Sequence, residues 1–423
     1  MMNVTIIGGG YVGLVTGTCL SSLGHNVTIV ETIPEKVDKI NSGHSPIYEE
    51  GLDELLQQHI GKNLTASTSY DAVKESDVIF IAVGTPPKED GSANLCYIQS
   101  AAEMIASALR ENHAAYPIIV VKSTVPPTTT QNVVSTIIHA KCPGLKFGCC
   151  MNPEFLREGK AVSDFLNPDR IVIGSTEEKT ISIMRELYAK LASPTITVSS
   201  TSAEMIKYTS NALLATKISF SNEIGNLCKK LGIDVYEVMK GVGLDHRITP
   251  HFLNAGAGFG GSCFPKDVSA LASIARSYGV EPTLLESVLE VNARQPLQMI
   301  AILERRFETL EGKRIAVLGL AFKDNTDDIR ESRSIPVIEQ LLLKKAVPVL
   351  YDPMATENMM QLFPHLEYSS NAASALQGAD GCLIMTEWPE FAALDTEFTL
   401  MKSRVIVDGR HILNISDAEG VCW

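Results

Sequence analysis

The segment Gly258-Phe259-Gly260-Gly261-Ser262-Cys263-Phe264-Pro265-Lys266-Asp267 gives a cysteine the surroundings of a nucleophile. Its glycines let the backbone come close to a ligand, and Pro265 suits the first turn of a helix, where a missing N–H costs nothing. Cys263 is therefore expected at a helix N-terminus. There the helix dipole and the ammonium of Lys266 both favour the thiolate, the form that attacks carbonyls. Most cysteines are inert core residues, and the chain has nine. The flanking glycines, proline and lysine set this one apart. A thiol beside a nicotinamide implies oxidation through a covalent acyl intermediate.

The nicotinamide is implied by the opening of the chain. The apolar run Val4 to Ile7 leads into Gly8-x-Gly10-x-x-Gly13, with Tyr11 and Val12 inside the motif, and then into a small-residue helix from Leu14 to Leu23. A second apolar strand, Val27 to Val30, ends in Glu31, eighteen residues after Gly13. That is close to the spacing at which a carboxylate bonds the adenosine ribose hydroxyls, while the glycines admit the pyrophosphate to the helix N-terminus. An acid there repels a 2′-phosphate, so NAD is favoured over NADP, a preference that Lys36 softens. Apolar strands at Val78 to Val83 and Ile118 to Val121 precede Gly84-Thr85-Pro86-Pro87 and Ser123-Thr124-Val125-Pro126-Pro127. Loops after parallel strands line the cofactor cleft of a doubly wound sheet, although each also reads as an ordinary strand-ending turn.

Positioning these residues takes more than one core, since 423 residues imply two or three domains. Alternating β and α patterns run from Val4 to about Val198, with another strand at Ile171 to Ile173. Long helices follow. Ala203 to Leu231 reads as one helix about 43 Å long at ~1.5 Å per residue, with Ile218, Ile224, Leu227 and Leu231 on a packing face. Lys207 and Asn211 share a face of it, and on sequence alone Lys207 reads equally as a cleft residue or a solvated one. A second α/β pattern starts at Gly312, with strands at Arg314 to Leu318, Pro348 to Tyr351, Gly381 to Met385 and Arg404 to Val407. The expected class is α/β, with two doubly wound parallel sheets joined by a central helical region. The expected boundaries are 1–198, 199–308 and 309–423.

Composition narrows the function classes. A net charge of −13 argues against nucleic acid as a partner. Met1-Met2-Asn3 lacks the basic start of a secretory leader, and no apolar stretch is long enough to span a membrane. The cysteines are odd in number and lack ligand spacing, so neither a metal site nor a disulfide framework is expected, and a cytoplasmic location fits.

With these residues in place the chain resembles, end to end, the UDP-glucose 6-dehydrogenase family, within the nucleotide-sugar 6-dehydrogenases that include GDP-mannose 6-dehydrogenase. The resemblance rests on Gly8 to Gly13, Val83-Gly84-Thr85-Pro86, Lys122-Ser123-Thr124-Val125-Pro126, Asn152-Pro153-Glu154-Phe155-Leu156-Arg157-Glu158-Gly159, Ala203-Glu204-Met205-Ile206-Lys207-Tyr208, Gly258 to Asp267 and Gly319-Leu320-Ala321-Phe322-Lys323. It implies a four-electron oxidation of a sugar C6 alcohol to a carboxylate with two NAD in one site. Cys263 is then the thiohemiacetal and thioester carrier. Lys207 and Asp267 stabilise the oxyanion and handle protons, Asn211 and Thr124 position water, and Glu154 assists hydrolysis. Phe155, Leu156 and Arg157 line the sugar nucleotide, and Glu158 borders both substrate and NAD. Phe252, Leu253 and Gly260 belong to a substrate loop, and Phe322, Lys323 and Arg410 to the C-terminal substrate site. Lys266 and Arg330 are implied cofactor contacts. Arg247 is implied to reach across a dimer interface, making the central helical region a dimerisation domain.

Three positions depart from the family pattern: Thr128 stands where glycine is usual, and Glu50 and Arg333 where proline is usual. Arg247, Pro168 to Gly174 and Asp408-Gly409-Arg410 resemble the UDP-glucose branch. Ala203 to Leu227 and the ending Glu419 to Trp423 resemble the GDP-mannose branch. GDP-mannose therefore stays open as a substrate, and so does a non-catalytic scaffold that binds NAD or a nucleotide sugar, against which the joint presence of Cys263, Lys207 and Asp267 speaks.

Overall fold

Residues 4 to 7, Val-Thr-Ile-Ile, are buried without alternation because their strand is covered on both faces: Ile6 packs into one core and Ile7 into another. This is β1 (Asn3–Ile7) of an eight-stranded sheet in a computed structural model that describes residues 1–109 and 116–423. The other strands are β2 (Asn26–Val30), β3 (Leu64–Ser67), β4 (Val78–Ile81), β5 (Ile118–Val121), β6 (Gly148–Met151), β7 (Ile171–Gly174) and β8 (Thr195–Val198), in the order β3-β2-β1-β4-β5-β6-β7-β8. β1 pairs in parallel with both β2 and β4, which makes its carboxyl end the switch point of the sheet.

One pairing differs from the expected parallel arrangement. β6 and β7 run antiparallel through the single pair Met151↔Gly174. A Cβ on Gly174 would lie 2.8 Å from the Met151 carbonyl oxygen, so the approach needs glycine. Two residues past Met151, Pro153 has no N–H to extend the ladder. β3 and β8 alternate apolar and polar residues and β6 opens on glycine, so none of the three shows the β-branched apolar run of its neighbours.

The chain divides into two compact units, Met1–Ser210 and Asn211–Trp423. In the second, β9 (Arg314–Leu318), β10 (Val347–Tyr351), β11 (Glu367–Tyr368), β12 (Gly381–Ile384), β13 (Val405–Asp408) and β14 (Ala418–Gly420) form a parallel sheet in the order β11-β10-β9-β12-β13-β14. β9 repeats the switch-point role of β1. The long helix runs from Ser200 to Leu231, 32 residues or about 48 Å, three residues longer at its start than its pattern implies. Among the described residues no helix is long and apolar enough to cross a membrane. Seven of the nine cysteines are buried, and Cys96 and Cys263 are exposed.

Candidate active site

In the first unit, the dinucleotide turn leaves β1 at Gly8, whose φ of +105° suits only glycine. A Cβ there would stand 2.6 Å from the Ala82 carbonyl oxygen, and one on Gly13 would overlap the Gly8 carbonyl. Gly10 is the opposite case: a Cβ on it would meet nothing within 4 Å, so the backbone there faces open space. Glu31 follows β2 and accepts N–H bonds from Gly9 at 3.0 Å and Ile33 at 3.1 Å. An open glycine turn with a carboxylate at its mouth fits NAD, whose pyrophosphate Gly10 to Gly13 would hold and whose ribose Glu31 would hold. The loops after β4 and β5 are tied together by the Thr85 hydroxyl, which donates to the Thr124 carbonyl at 2.9 Å, beside unobstructed Gly84.

Tyr11, within the motif, donates its hydroxyl to Glu49, and Val12 packs against the core. Burial first, then Glu49, pushes the Tyr11 hydroxyl far above its ordinary pKa. Glu49 also accepts from the backbone N–H groups of Gly159 at 2.7 Å and Ala161 at 2.6 Å. This carboxylate joins the cofactor turn to the segment carrying Glu158, and no sequence signal marked it. Lys36 lies half-buried on the helix Pro34–Asn41.

The Asn152 to Glu158 segment leaves β6 and presents Glu154, whose Oε1 lies 2.8 Å from Lys207 Nζ, with both side chains buried. Burial raises the Glu154 pKa, but the Lys207 charge and hydrogen bonds from Lys207 and the Leu156 N–H more than reverse this, leaving it below the ordinary carboxylate value. Lys207 is therefore buried and paired rather than solvated. Nearby Lys122 is also buried; its ammonium donates to Asn152 Oδ1 at 3.0 Å, and burial lowers its pKa to about 8. Phe155 stacks beneath the Arg170 guanidinium at 3.8 Å and lies 5.5 Å from Lys207 Nζ. Arg157 makes a two-pronged bond to Asp164, at 3.0 and 2.6 Å.

In the second unit, Cys263 occupies the N-cap of the helix Phe264–Ser277, with Pro265 in its first turn. One turn on, Asp267 closes that turn by donating its N–H to the Cys263 carbonyl at 2.8 Å. The Asp267 side chain is buried. It accepts from Asn211 Nδ2 at 2.6 Å and from Lys266 Nζ at 2.5 Å, so the Lys266 ammonium is engaged by Asp267. The glycine loop ahead of Cys263 is held from several sides. Asn292 accepts the Phe259 N–H at 2.8 Å and donates to the Phe259 carbonyl at 2.9 Å. Gly261 donates to the Arg330 carbonyl at 2.9 Å, and a Cβ on it would lie 2.7 Å from the Phe322 ring. Arg410 donates to the carbonyls of Gly258 at 3.0 Å and Met385 at 2.7 Å.

Other implied residues take simpler places. Leu253 is buried, and Phe252 is left-handed at φ +63°. Lys323 Nζ sits 5.8 Å from the Phe322 ring centre, and Arg330 pairs with Asp328. Arg247 pairs with Asp245 at 2.5 Å and is 78% exposed, so it is not drawn into its own unit.

Comparison with known proteins identifies the family. Residues 2–192 match the NAD binding domain of the UDP-glucose/GDP-mannose dehydrogenase family, 201–294 its central domain and 316–415 its UDP binding domain. A UDP-glucose 6-dehydrogenase of Haloferax volcanii is 46% identical over 420 residues, covering 97% of each chain. One from Bacillus subtilis is 43% identical over 422 residues, covering 99% of this chain and 95% of that one. The solved structure of a UDP-glucose dehydrogenase from Pyrobaculum islandicum matches with a TM-score of 0.96 at 41% identity, covering 100% of this chain and 98% of that one. The protein is an oxidoreductase that binds NAD and a nucleotide sugar. With matches along its full length, the chain belongs to the UDP-glucose/GDP-mannose dehydrogenase family.

Proposed function

We infer that this protein oxidises the C6 alcohol of UDP-glucose to the carboxylate of UDP-glucuronate, with the acyl group carried on Cys263. The observation that supports the covalent route is an exposed thiol at a helix N-terminus, one turn from a buried Asp267 held by Asn211 at 2.6 Å. Bound NAD supplies the hydride acceptor for both two-electron oxidations. At the aldehyde level the Cys263 thiolate adds to C6, and the former carbonyl oxygen takes a proton to give a thiohemiacetal. At the acyl level the same sulfur holds a thioester; water adds, the C–S bond breaks, the thiolate leaves and the carboxylate is released. Lys207 and Asp267 are assigned to the developing oxyanion and its proton. Glu154, kept ionised beside Lys207, takes the proton of the attacking water, and Asn211 and Thr124 orient that water.

The test is the purified protein with NAD and a panel of UDP-glucose, GDP-mannose and UDP-N-acetylmannosamine, followed by NADH absorbance and mass spectrometry of the sugar nucleotide. Turnover of UDP-glucose is expected. Turnover of GDP-mannose alone reassigns the substrate, and no NADH with any of them leaves a binding scaffold. With the true substrate, Cys263→Ser lowers kcat at least ~10³-fold. Near-normal uronate formation by that variant rules out the covalent route.

The same reading assigns a cytoplasmic enzyme with parts at 1–198, 199–308 and 309–423 that acts as a homodimer or larger homo-oligomer. Support for the oligomer comes from the long helix, where Leu213, Phe220 and Leu227 recur at seven-residue intervals and are all more than half exposed.

A further inference from the structure

Arg333 departs from the family pattern and does something proline cannot do. Its side chain is 10% exposed. Nε and Nη2 both donate to the Glu331 carbonyl, at 3.0 and 2.9 Å, and Nη2 also pairs with the Glu331 carboxylate at 2.9 Å. One guanidinium thus grips the backbone and the side chain of a single residue. That residue is left-handed, with φ +54°, a conformation costly for anything but glycine, asparagine or aspartate. The gripped carbonyl lies so close to Gly260 that a Cβ there would overlap it, and the carbonyl before it accepts the Gly261 N–H. Gly260 and Gly261 are the third and second residues before Cys263. Burial lowers the Arg333 pKa, and Arg410 adds to this against the opposing effect of Glu331. The position therefore disfavours a charge unless the grip on Glu331 compensates.

We propose that Arg333 is a positioning residue for Cys263: by clamping Glu331 in its left-handed turn it fixes the two carbonyls on which the Gly260–Gly261 backbone rests. The link to catalysis rests on the reading of Cys263 as the nucleophile; the clamp itself does not.

The experiment uses the full-length protein with Arg333→Met, Arg333→Lys and the double variant Glu331→Gly with Arg333→Met. Amide hydrogen exchange over residues 258–263 is followed by mass spectrometry, beside kcat and KM for NAD. Arg333→Met should raise exchange in that segment about tenfold and lower kcat about tenfold, with the NAD KM little changed. Arg333→Lys, which keeps one donor to the carbonyl, should recover part of both. Glycine adopts positive φ without penalty, so adding Glu331→Gly should return exchange and kcat toward the parent values, which a general packing role for Arg333 would not do. Unchanged exchange in Arg333→Met, or no recovery in the double variant, overturns the clamp. If Arg333→Met does not fold, the proposal requires the double variant to fold, and its failure also overturns the clamp. Altered and rescued exchange with a constant kcat shows a purely structural clamp and overturns Arg333 as a positioning residue for Cys263.

Discussion

Thr128 donates its backbone N–H to Glu204 Oε2 at 2.6 Å from a backbone turned to φ +80°. The other oxygen of Glu204 accepts the N–H and hydroxyl of Thr130 at 2.7 and 2.6 Å, so this buried carboxylate gathers the whole turn after Pro127. A β-branched residue is strained in the left-handed region. The departure from glycine at this position thus leaves the loop in a glycine conformation and makes threonine carry its cost.

Thr128→Gly is therefore expected to stabilise the protein by ~1 kcal/mol, the relief of strain outweighing the added freedom of the unfolded chain. The thermal midpoint should rise by about 2–4 °C. A lower midpoint would show that Thr128 is not strained.

Lys122 makes stability depend on alkaline pH. Burial lowers its pKa from 10.5 to about 8. Below pH 8 it is charged in both states, and the folded chain bears a cost of ~3 kcal/mol for holding that charge. Between pH 8 and 10.5 the folded chain loses the proton first, so the cost disappears as pH rises. Urea unfolding of the parent and of Lys122→Met isolates the effect. The parent should gain ~2 kcal/mol relative to the variant between pH 7.5 and 9.5. A constant difference across that range would contradict the lowered pKa.

Glu31 is anchored by two backbone N–H groups at the mouth of the glycine turn. Its charge is expected to make NAD the better cofactor, and Glu31→Ser should narrow the kcat/KM gap between NAD and NADP by about 10- to 100-fold, the worth of one charged hydrogen bond. Parent protein using both cofactors equally would remove the assignment.

Arg247, exposed and paired with Asp245 in its own unit, is the residue that the family resemblance sends to a partner's site. Mixing inactive Cys263→Ser chains with Arg247→Ala chains should restore part of the activity, because some heterodimers hold one complete site. No recovery despite demonstrated subunit exchange, or a fully active monomer in sedimentation, would exclude sharing.

What the sequence made legible is what local geometry controls. The glycine turn, Glu31, the N-cap placement of Cys263 and the long helix all follow from spacing within about one element, and each is found within a few residues of its expected place. The contacts that hold the site are different in kind. Glu49 reaches Gly159 and Ala161 across more than a hundred residues, and Asn292 reaches Phe259 across 33. Neither side chain has a local pattern, since each answers a partner that only the folded sheet brings near. The reversal at β7 was hidden for a similar reason: a run such as Ile171 to Ile173 gives burial but no direction.

The distribution of thiols turns the molecule into its own reporter. Burial holds Cys19, Cys150 and Cys422 near a pKa of about 12, whereas Cys96 and Cys263 are exposed. An alkylating reagent at neutral pH should therefore count two sulfurs on the native protein and nine once it unfolds. With Cys96 replaced by serine, the first mole of label reads out the reactivity of Cys263 alone, and every later mole measures how often the chain opens.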